Sequence, residues 1–299
     1  MPLVTSGKLM KDAMEREYAV GAFNAINMET AQAIVAAAHA EKSPLILQVT
    51  ETTLKYTEPE PLVACIHELI KESTIPVALH LDHGRSFETV MRFLRMGFSS
   101  VMMDGSLQED GKTPRTTEEN LEVTRQAVEA AHALGVSAEG EIGRLGQVSD
   151  EQSEEILTDP EEAAQFVEAT GVDLLAVAIG TTHGLYKGTP KIYTDRVAEI
   201  RERTDMPLVM HGGTGVPDED VVEGVKNGIR KINIDTQMRV ACHEALWKIM
   251  NEIEGEYKQA DAAGEPRKYD IRRLLAPARD AIQEVVAEKM RLFGCAGKA

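Results

Sequence analysis

The chain has 299 residues, 43% hydrophobic and 27% charged, a balance typical of a globular protein with a large buried core rather than a disordered chain. Its 32 basic and 49 acidic residues give a formal net charge of −17, which argues against nucleic acid or an anionic membrane as the main partner. A small anionic ligand is compatible with this charge, because a metal ion, helix N-termini and a few basic residues can reverse the field locally.

Cysteine usage and the N-terminal segment indicate a reducing compartment. Cys65, Cys242 and Cys295 are widely spaced and form no Cys-x-x-Cys pair, which does not suit a disulfide framework. Residues 1–17 carry charges throughout and lack the apolar core of a signal peptide, and no stretch reaches membrane-spanning length. We therefore expect a cytoplasmic protein.

Short apolar runs alternate with segments of helical period along almost the whole chain, which is the pattern of parallel βαβ units. Strands are predicted at residues 19–23, 44–49, 75–81, 98–103, 135–142, 172–179, 206–211 and 229–234. Helices are predicted at 28–41, 59–72, 87–96, 116–134, 159–170, 194–203 and 218–227, and a last one begins near Thr236.

Eight such units favour an α/β fold of the (β/α)₈ TIM-barrel type, with residues 1–299 in a single domain and a helical extension from about 255 to 299. A doubly wound sheet is the alternative, but no Gly-x-Gly-x-x-Gly motif follows the first strand. Residues 143–158 form a long polar connection after strand five, where a barrel enzyme would keep a mobile lid.

Polar residues stand at the ends of the predicted strands, and the carboxyl ends of barrel strands are where such enzymes carry out chemistry. His83, His183 and His211 follow or end three different strands, so we expect them to meet at one rim. Three imidazoles with an open coordination position describe a catalytic zinc site. The histidines inside predicted helices are interpreted as surface or packing residues, and His80 as a core residue or one that supports a ligand.

Acidic side chains accompany these histidines on the same rim. Asp104 and Glu141 could hold a second or alternative cation through their oxygens, or they could simply bind neighbouring loops. Asp82 adjoins a proposed metal ligand, where a carboxylate can exchange a proton with a substrate hydroxyl. It is our candidate for the acid/base group.

Two segments after the last strands favour phosphate binding. His211-Gly-Gly-Thr-Gly215 and Asn233-Ile-Asp-Thr236 lie where barrels commonly bind phosphate through exposed backbone amides, although such glycines often serve only a turn. Lys231 suggests a competing mechanism, because a lysine inside a barrel can form a Schiff base with a ketone. A Schiff-base enzyme needs no metal, whereas this rim offers three histidines.

Six motifs occur in a characteristic order: HLDHG (80–84), SVMMDGS (100–106), EGEIG (139–143), AIGTTHGLY (178–186), MHGGTG (210–215) and KINIDT (231–236). With them the chain resembles the class II, metal-dependent fructose-bisphosphate and tagatose-bisphosphate aldolases, nearly from end to end. The resemblance implies that His83, His183 and His211 bind zinc and that Asp82 exchanges the proton of the C4 hydroxyl. It also implies a second divalent metal at Asp104 and Glu141.

The same resemblance implies the residues that hold the dihydroxyacetone phosphate half of the substrate. They are Gly184, Gly212, Gly213, Thr214, Asn233, Asp235 and Thr236, with a monovalent cation nearby. Lys187 is a further candidate for binding the phosphate, and Asn24 is a further candidate for binding the substrate. Asp235 and residues 266–282 look more like a fructose-bisphosphate than a tagatose-bisphosphate enzyme. The family is usually a homodimer or homotetramer, and residues from a neighbouring chain could complete the distal phosphate site.

The sequence departs from the family at two places that bear on the sugar. Residues 143–152 do not match the usual lid, so Asp150, Glu151 or Glu154 could supply the proton that the lid transfers. Thr50-Glu-Thr-Thr53 replaces a Ser/Gly-rich segment near the distal phosphate, which makes a different anionic head group conceivable. We expect reversible cleavage of fructose 1,6-bisphosphate to dihydroxyacetone phosphate and glyceraldehyde 3-phosphate. The alternatives are another ketose 1-phosphate aldolase and a non-catalytic barrel that binds sugar phosphates.

Overall fold

In the computed structural model, which describes residues 3–143, 157–186 and 188–299 and the backbone of 146–147, parallel strands close into a barrel. The strands are β1 (Val20–Asn24), β2 (Leu45–Thr50), β3 (Val77–Gly84), β4 (Ser100–Met103), β5 (Ser137–Ile142), β6 (Gly146–Gln147), β7 (Leu174–Val177), β8 (Thr182–His183), β9 (Leu208–Met210) and β10 (Ile229–Ile234). Eight of them form the barrel in the order β1-β10-β9-β7-β5-β4-β3-β2, while β6 and β8 pair separately. Each predicted apolar run overlaps one barrel strand, which confirms the TIM-barrel prediction.

Helices follow the strands on the outside of the barrel. They are α1 (Ser6–Glu15), α2 (Met28–Glu41), α3 (Pro59–Ile70), α4 (Phe87–Arg95), α5 (Thr117–Ala133), α6 (Pro160–Thr170), α7 (Thr194–Thr204), α8 (Asp218–Asn227), α9 (Thr236–Ala263) and α10 (Arg272–Leu292). A short 3₁₀ helix, Glu51–Lys55, follows β2. The Asp159 side chain caps α6 by accepting from the backbone N–H groups of Glu161 and Glu162, and Pro160 occupies the first turn, where a missing N–H costs no hydrogen bond.

The sequence pattern did not predict helix α1, which precedes the first strand. Leu9, Met10 and Ala13 form its buried face, and the Thr5 side chain caps its N-terminus. The Ser6 hydroxyl hydrogen-bonds the Ser100 hydroxyl at 2.6 Å, at the first residue of β4. The helix therefore lies across the N-terminal end of the barrel, opposite the rim that carries the polar strand ends.

Strand alternation separates an apolar layer from a polar barrel interior. Leu79 and Leu81 are fully buried on the helix-facing side of β3, whereas His80 between them points inward. Inside the barrel, Glu139 and Lys231 are also fully buried. In the part of the chain that the structure describes, none of the helices has the length and apolar character needed to cross a bilayer.

Candidate active site

The predicted site residues gather at the carboxyl ends of the barrel strands around a cavity of about 440 Å³. Its wall includes Asn24, Asp82, His83, Asp104, Glu141, His183, Gly184, Gly212, Thr214, Asn233, Asp235 and Thr236. His211 lies fully buried directly beneath it, in contact with His83. Gly213 is not on the wall; it packs where a side chain would meet Ile232. Lys187 and the lid residues Asp150, Glu151 and Glu154 lie outside the described residues.

The backbone of β3 bends so that two consecutive side chains reach the cavity. Neighbouring residues of a strand normally point to opposite faces. His83 has φ of 55°, in the left-handed region that a side chain with a Cβ rarely adopts, and the pairing of β3 with β4 shifts register between Leu81 and Gly84. This irregularity lets Asp82 and His83 both face the rim. Backbone strain of this kind is typical of functional sites.

The three predicted histidines converge. The imidazole centroids of His83 lie 5.1 Å from that of His183 and 4.7 Å from that of His211. One ring nitrogen from each histidine lies within 4.8 Å of the others, close enough for all three to hold one metal ion. The His83 Nε2 and His211 Nδ1 atoms face each other at 3.1 Å.

The outward-facing nitrogens of two of these rings are held by carboxylates. His83 Nδ1 lies 3.0 Å from Asp104 Oδ2, and His211 Nε2 lies 3.1 Å from Glu139 Oε1. A carboxylate behind an imidazole fixes the ring orientation and leaves the opposite nitrogen for a metal. Burial strongly lowers the pKa of His211, which favours the neutral form that a metal requires.

A second group of potential ligands consists of His83, Asp104 and Glu141, whose ligand atoms also lie within 4.8 Å of one another. The Ser106 hydroxyl hydrogen-bonds both carboxylates, at 2.8 Å to Asp104 and 3.0 Å to Glu141. Burial and repulsion from Asp104 raise the pKa of Glu141 to about 8. The Glu141 Oε2 atom is buried and has no hydrogen-bond partner. A cation would satisfy that oxygen and relieve the repulsion, so the residues fit a metal ion.

Asp82 is held by three side-chain amides. Asn24 and Gln48 donate to Oδ2 at 3.1 and 3.2 Å, and Asn233 donates to Oδ1 at 3.2 Å. Burial opposes the ionised form, but the neighbouring positive groups, His83 first among them, lower the pKa of Asp82 below its usual value. The carboxylate is thus ionised and fixed beside the three converging histidines, as a proton acceptor must be.

The loops after β8 and β9 bring backbone amides close to the cavity. Gly212 has φ of 65°, and a Cβ at this position would lie 2.4 Å from the Thr182 carbonyl oxygen. The Tyr186 hydroxyl, which the sequence did not identify, accepts from the Thr182 N–H and donates to the Gly212 carbonyl. Helix α9 begins at Thr236 on the wall, and the N-terminus of a long helix favours an anion.

Comparison with known proteins agrees with this geometry. Residues 4–298 match the model of the family described as fructose-bisphosphate aldolase class-II. The chain belongs to the class II fructose-bisphosphate aldolase family. Class II aldolases depend on a metal, in agreement with the two groups of potential ligands.

Class II relatives carry more than one substrate name. The chain is 41% identical to a fructose-bisphosphate aldolase of Geobacillus stearothermophilus over 100% of this chain and 99% of the relative. It is 38% identical to a sulfofructosephosphate aldolase of Alkalicoccus urumqiensis, with the same coverage. Among solved structures, the YdjI aldolase of Escherichia coli K12 matches with a TM-score of 0.83 and 33% identity over 99% of both chains.

Beneath the site of this class II aldolase lies a buried polar network that the sequence did not reveal. The Lys231 Nζ donates to Glu139 Oε2 at 2.8 Å, and it lies 3.4 Å from His80 Nε2. The other ring nitrogen of His80 contacts the Ser100 hydroxyl at 2.7 Å. Glu139 and Glu141 alternate on β5 with Gly140 between them, so the period of two already placed both acids inside the barrel. Lys231 is thus part of a buried ion pair, an arrangement that does not favour the Schiff-base alternative.

Proposed function

We propose that this chain is a zinc-dependent aldolase that reversibly cleaves fructose 1,6-bisphosphate to dihydroxyacetone phosphate and glyceraldehyde 3-phosphate. The observation that carries the proposal is the position of Asp82, an ionised carboxylate fixed by three amides beside three converging imidazoles. Membership of the class II family and the names of most of the similar relatives support the same reaction.

Asp82 is the proposed catalytic acid/base. In the cleavage direction its carboxylate accepts the proton of the C4 hydroxyl while the C3–C4 bond breaks, and in condensation it returns that proton. Asn24, Gln48 and Asn233 keep the carboxylate in one orientation, so its reorganisation during proton transfer costs little.

His83, His183 and His211 are the proposed zinc ligands, because three imidazoles with an open position suit catalytic zinc. When bound, the ion would polarise the ketone oxygen of the substrate as a Lewis acid. Glu139 behind His211 and Asp104 behind His83 would keep the rings aimed at it. Asp104 and Glu141 are proposed to hold a second divalent metal, supported by the unpartnered Glu141 oxygen.

The dihydroxyacetone phosphate end is proposed to bind on the β8–β10 side of the cavity. Its phosphate would accept hydrogen bonds from the backbone N–H groups of Gly184, Gly212 and Thr214 and from the N-terminus of α9 at Thr236. Asn233 and Asp235 would contact this half of the substrate, with a monovalent cation nearby, and Lys187 and Gly213 complete the proposed set.

A coupled assay for triose phosphates tests the proposal. We expect fructose 1,6-bisphosphate to be cleaved, activity to be lost on treatment with a chelator, and Zn²⁺ to restore it. Metal content measured on the same samples should rise and fall with activity. Cleavage that survives full metal removal, or borohydride trapping of Lys231 with substrate, would contradict the zinc mechanism.

A second candidate is an aldolase for another ketose 1-phosphate, such as tagatose 1,6-bisphosphate or a sugar with a different anionic head. It is supported by the similarity to a sulfofructosephosphate aldolase over the full chain. Assays of fructose 1,6-bisphosphate and of these sugars in parallel would identify the preferred substrate. A difference of more than about tenfold in kcat/KM, which is about 1.4 kcal/mol in transition-state binding, would decide between them.

We also propose that the chain forms a homodimer or homotetramer. Apolar side chains are exposed on α9 and beside the start of α10: Trp247 is 64% and Met250 55% exposed, and Tyr269 and Ile271 lie next to them around a groove. Large exposed apolar patches are typical of protein interfaces. Light scattering on the purified protein, with Trp247→Glu as the variant, tests this assembly.

A further inference from the structure

Arg85 is a cation on the cavity wall whose guanidinium donates no hydrogen bond to any described residue. Among the described residues, two arginines line the cavity, Arg85 and Arg239. Arg239 forms a two-pronged ion pair with Asp235, with its Nε 2.9 Å from Oδ1. By contrast, the buried Nε of Arg85 lacks a hydrogen-bond partner and lies 3.7 Å from the nearest Asp104 oxygen. A buried N–H donor such as this Nε is costly to leave unsatisfied, and the Arg85 side chain is 24% exposed on the cavity wall, so it is suited to receive an anion.

The surroundings of Arg85 fix its backbone, whereas its guanidinium donates no hydrogen bond to a described residue and has only the longer ion pair with Asp104. Its N–H donates to Glu51 Oε2 at 3.2 Å, and its carbonyl accepts from Arg115 at 3.1 Å. Gly111, with φ of 67°, passes so close that a Cβ there would lie 3.2 Å from the Arg85 Cζ. The loop after β4 therefore covers one side of the guanidinium and leaves its other side at the cavity.

The strand order of the barrel places Arg85 on the side of the cavity opposite the Gly212 turn. Arg85 follows β3, and β3 stands four places from β9 in either direction around the eight-stranded ring. The Gly212 turn, proposed above for the first phosphate, follows β9 and thus faces Arg85 across the mouth. Thr50 and Thr52, which also line the wall, follow β2, the neighbour of β3. A substrate anchored at Gly212 and reaching across the histidines would bring its far end to Arg85.

We infer that Arg85 binds the distal anionic head group of the substrate and selects ketose 1-phosphates that carry a tetrahedral anion, phosphate or sulfonate, at the end away from the cleaved half. This inference rests on the proposed aldolase function. A guanidinium presents paired N–H donors that match two oxygens of such a head group. The cavity wall carries Asp82, Asp104, Glu141 and Asp235, and Arg239 on the same wall is paired with Asp235. Arg85 therefore supplies the local positive charge that a second anion requires.

The test compares two substrates that differ only at the distal end, fructose 1,6-bisphosphate and fructose 1-phosphate. We expect the wild-type protein to favour the bisphosphate in kcat/KM by about tenfold or more, and Arg85→Ala to lower that preference by about ten- to a hundredfold. Cleavage of fructose 1-phosphate by Arg85→Ala should fall far less than cleavage of the bisphosphate, and thermal unfolding of the variant beside the wild-type protein checks that it folds. Arg85→Lys should keep part of the preference, because it keeps the charge but loses the paired donors.

Arg92→Ala is the matched control. This arginine lies on α4 just beyond Arg85, pairs with Glu60 on the surface and does not line the cavity. We expect it to leave the preference unchanged. A third arm of the experiment uses the sugar whose distal phosphate is replaced by sulfonate. If its cleavage also depends on Arg85, the residue binds tetrahedral anions in general and not phosphate alone.

Several outcomes would overturn the inference. Equal losses on both substrates in Arg85→Ala would show that Arg85 only supports Asp104, and a preference untouched by the substitution would place the distal anion elsewhere. If the wild-type protein cleaves neither sugar, the aldolase proposal fails, and calorimetric binding of the two sugars to the wild-type and Arg85→Ala proteins still decides the inference. Tighter binding of the bisphosphate than of the monophosphate, lost in Arg85→Ala, would support the inference. Equal affinities for the two sugars, or a difference that Arg85→Ala does not change, would refute the inference.

Discussion

At the scale of single residues, Asp82 combines two properties that are seldom found together. It is buried, which opposes ionisation, yet three amides and the nearby histidines favour the carboxylate. The same three amides come from strands β1, β2 and β10, so the orientation of the carboxylate depends on the barrel and not on a loop. A proton acceptor held this way needs little rearrangement at the moment of reaction.

We predict that Asp82→Ala lowers kcat by about 10²- to 10⁴-fold, the usual worth of a positioned acid/base group. Metal content should stay at the wild-type level, because the three histidines remain. Steady-state kinetics and metal analysis on the same preparation check both parts. A variant that turns over at the wild-type rate would remove Asp82 from the mechanism, and one that has lost its metal would show a structural role instead.

The buried Lys231–Glu139 pair gives a prediction about stability. Lys231→Met should lower the free energy of unfolding by about 3–5 kcal/mol, because it leaves the Glu139 charge buried without its partner. Lys231→Met combined with Glu139→Gln should recover part of that loss, since the unpaired charge is then removed. Denaturant unfolding of the metal-free proteins measures both. Additive losses in the double variant would mean that the two side chains are not coupled.

At the scale of elements, the site depends on short irregular segments set on regular strands. The left-handed residue His83 ends the alternation of β3, and the Gly212 turn follows β9 directly. Tyr186 ties the turn to the segment that carries His183 by bonding both Thr182 and Gly212. The position of His183 and that of the Gly212 turn, proposed to bind phosphate, are therefore linked through one hydroxyl.

Two glycine substitutions should have opposite effects. Gly212→Ala places a methyl group against the Thr182 carbonyl in a left-handed backbone conformation, so we expect a loss of more than about 1 kcal/mol in stability together with a raised KM. Gly255 lies inside α9 with nothing near its Cβ position, so Gly255→Ala should stabilise the protein by roughly 0.5–1 kcal/mol. Thermal unfolding and kinetics of the pair check this; a neutral Gly212→Ala would show that the turn can relax.

At the scale of the whole molecule, the sequence was most informative where local pattern determines structure. The barrel strands and the convergence of His83, His183 and His211 follow from periodicity and from the rule that strand ends share a rim. The network of Lys231, Glu139 and His80 was not predictable in this way, because Glu139 and Lys231 are 92 residues apart and no local pattern pairs them. The role proposed for Arg85 was not predictable for a related reason. Whether its Nε has a hydrogen-bond partner depends on the loop after β4, whose position the sequence pattern does not give.

Metal binding should also stabilise the whole barrel, because the proposed ligands come from segments that meet only in the folded chain: β3, β8 and the residue after β9. An ion that binds only the folded state adds about 2.7 kcal/mol when its free concentration is a hundred times its Kd. We therefore expect chelator to lower Tm and Zn²⁺ to restore it. His211→Ala should abolish this response, whereas His243→Ala, on the exposed part of α9, should keep it. A Tm that is indifferent to metal in the wild-type protein would mean that the three imidazoles do not form a site that is specific to the native fold.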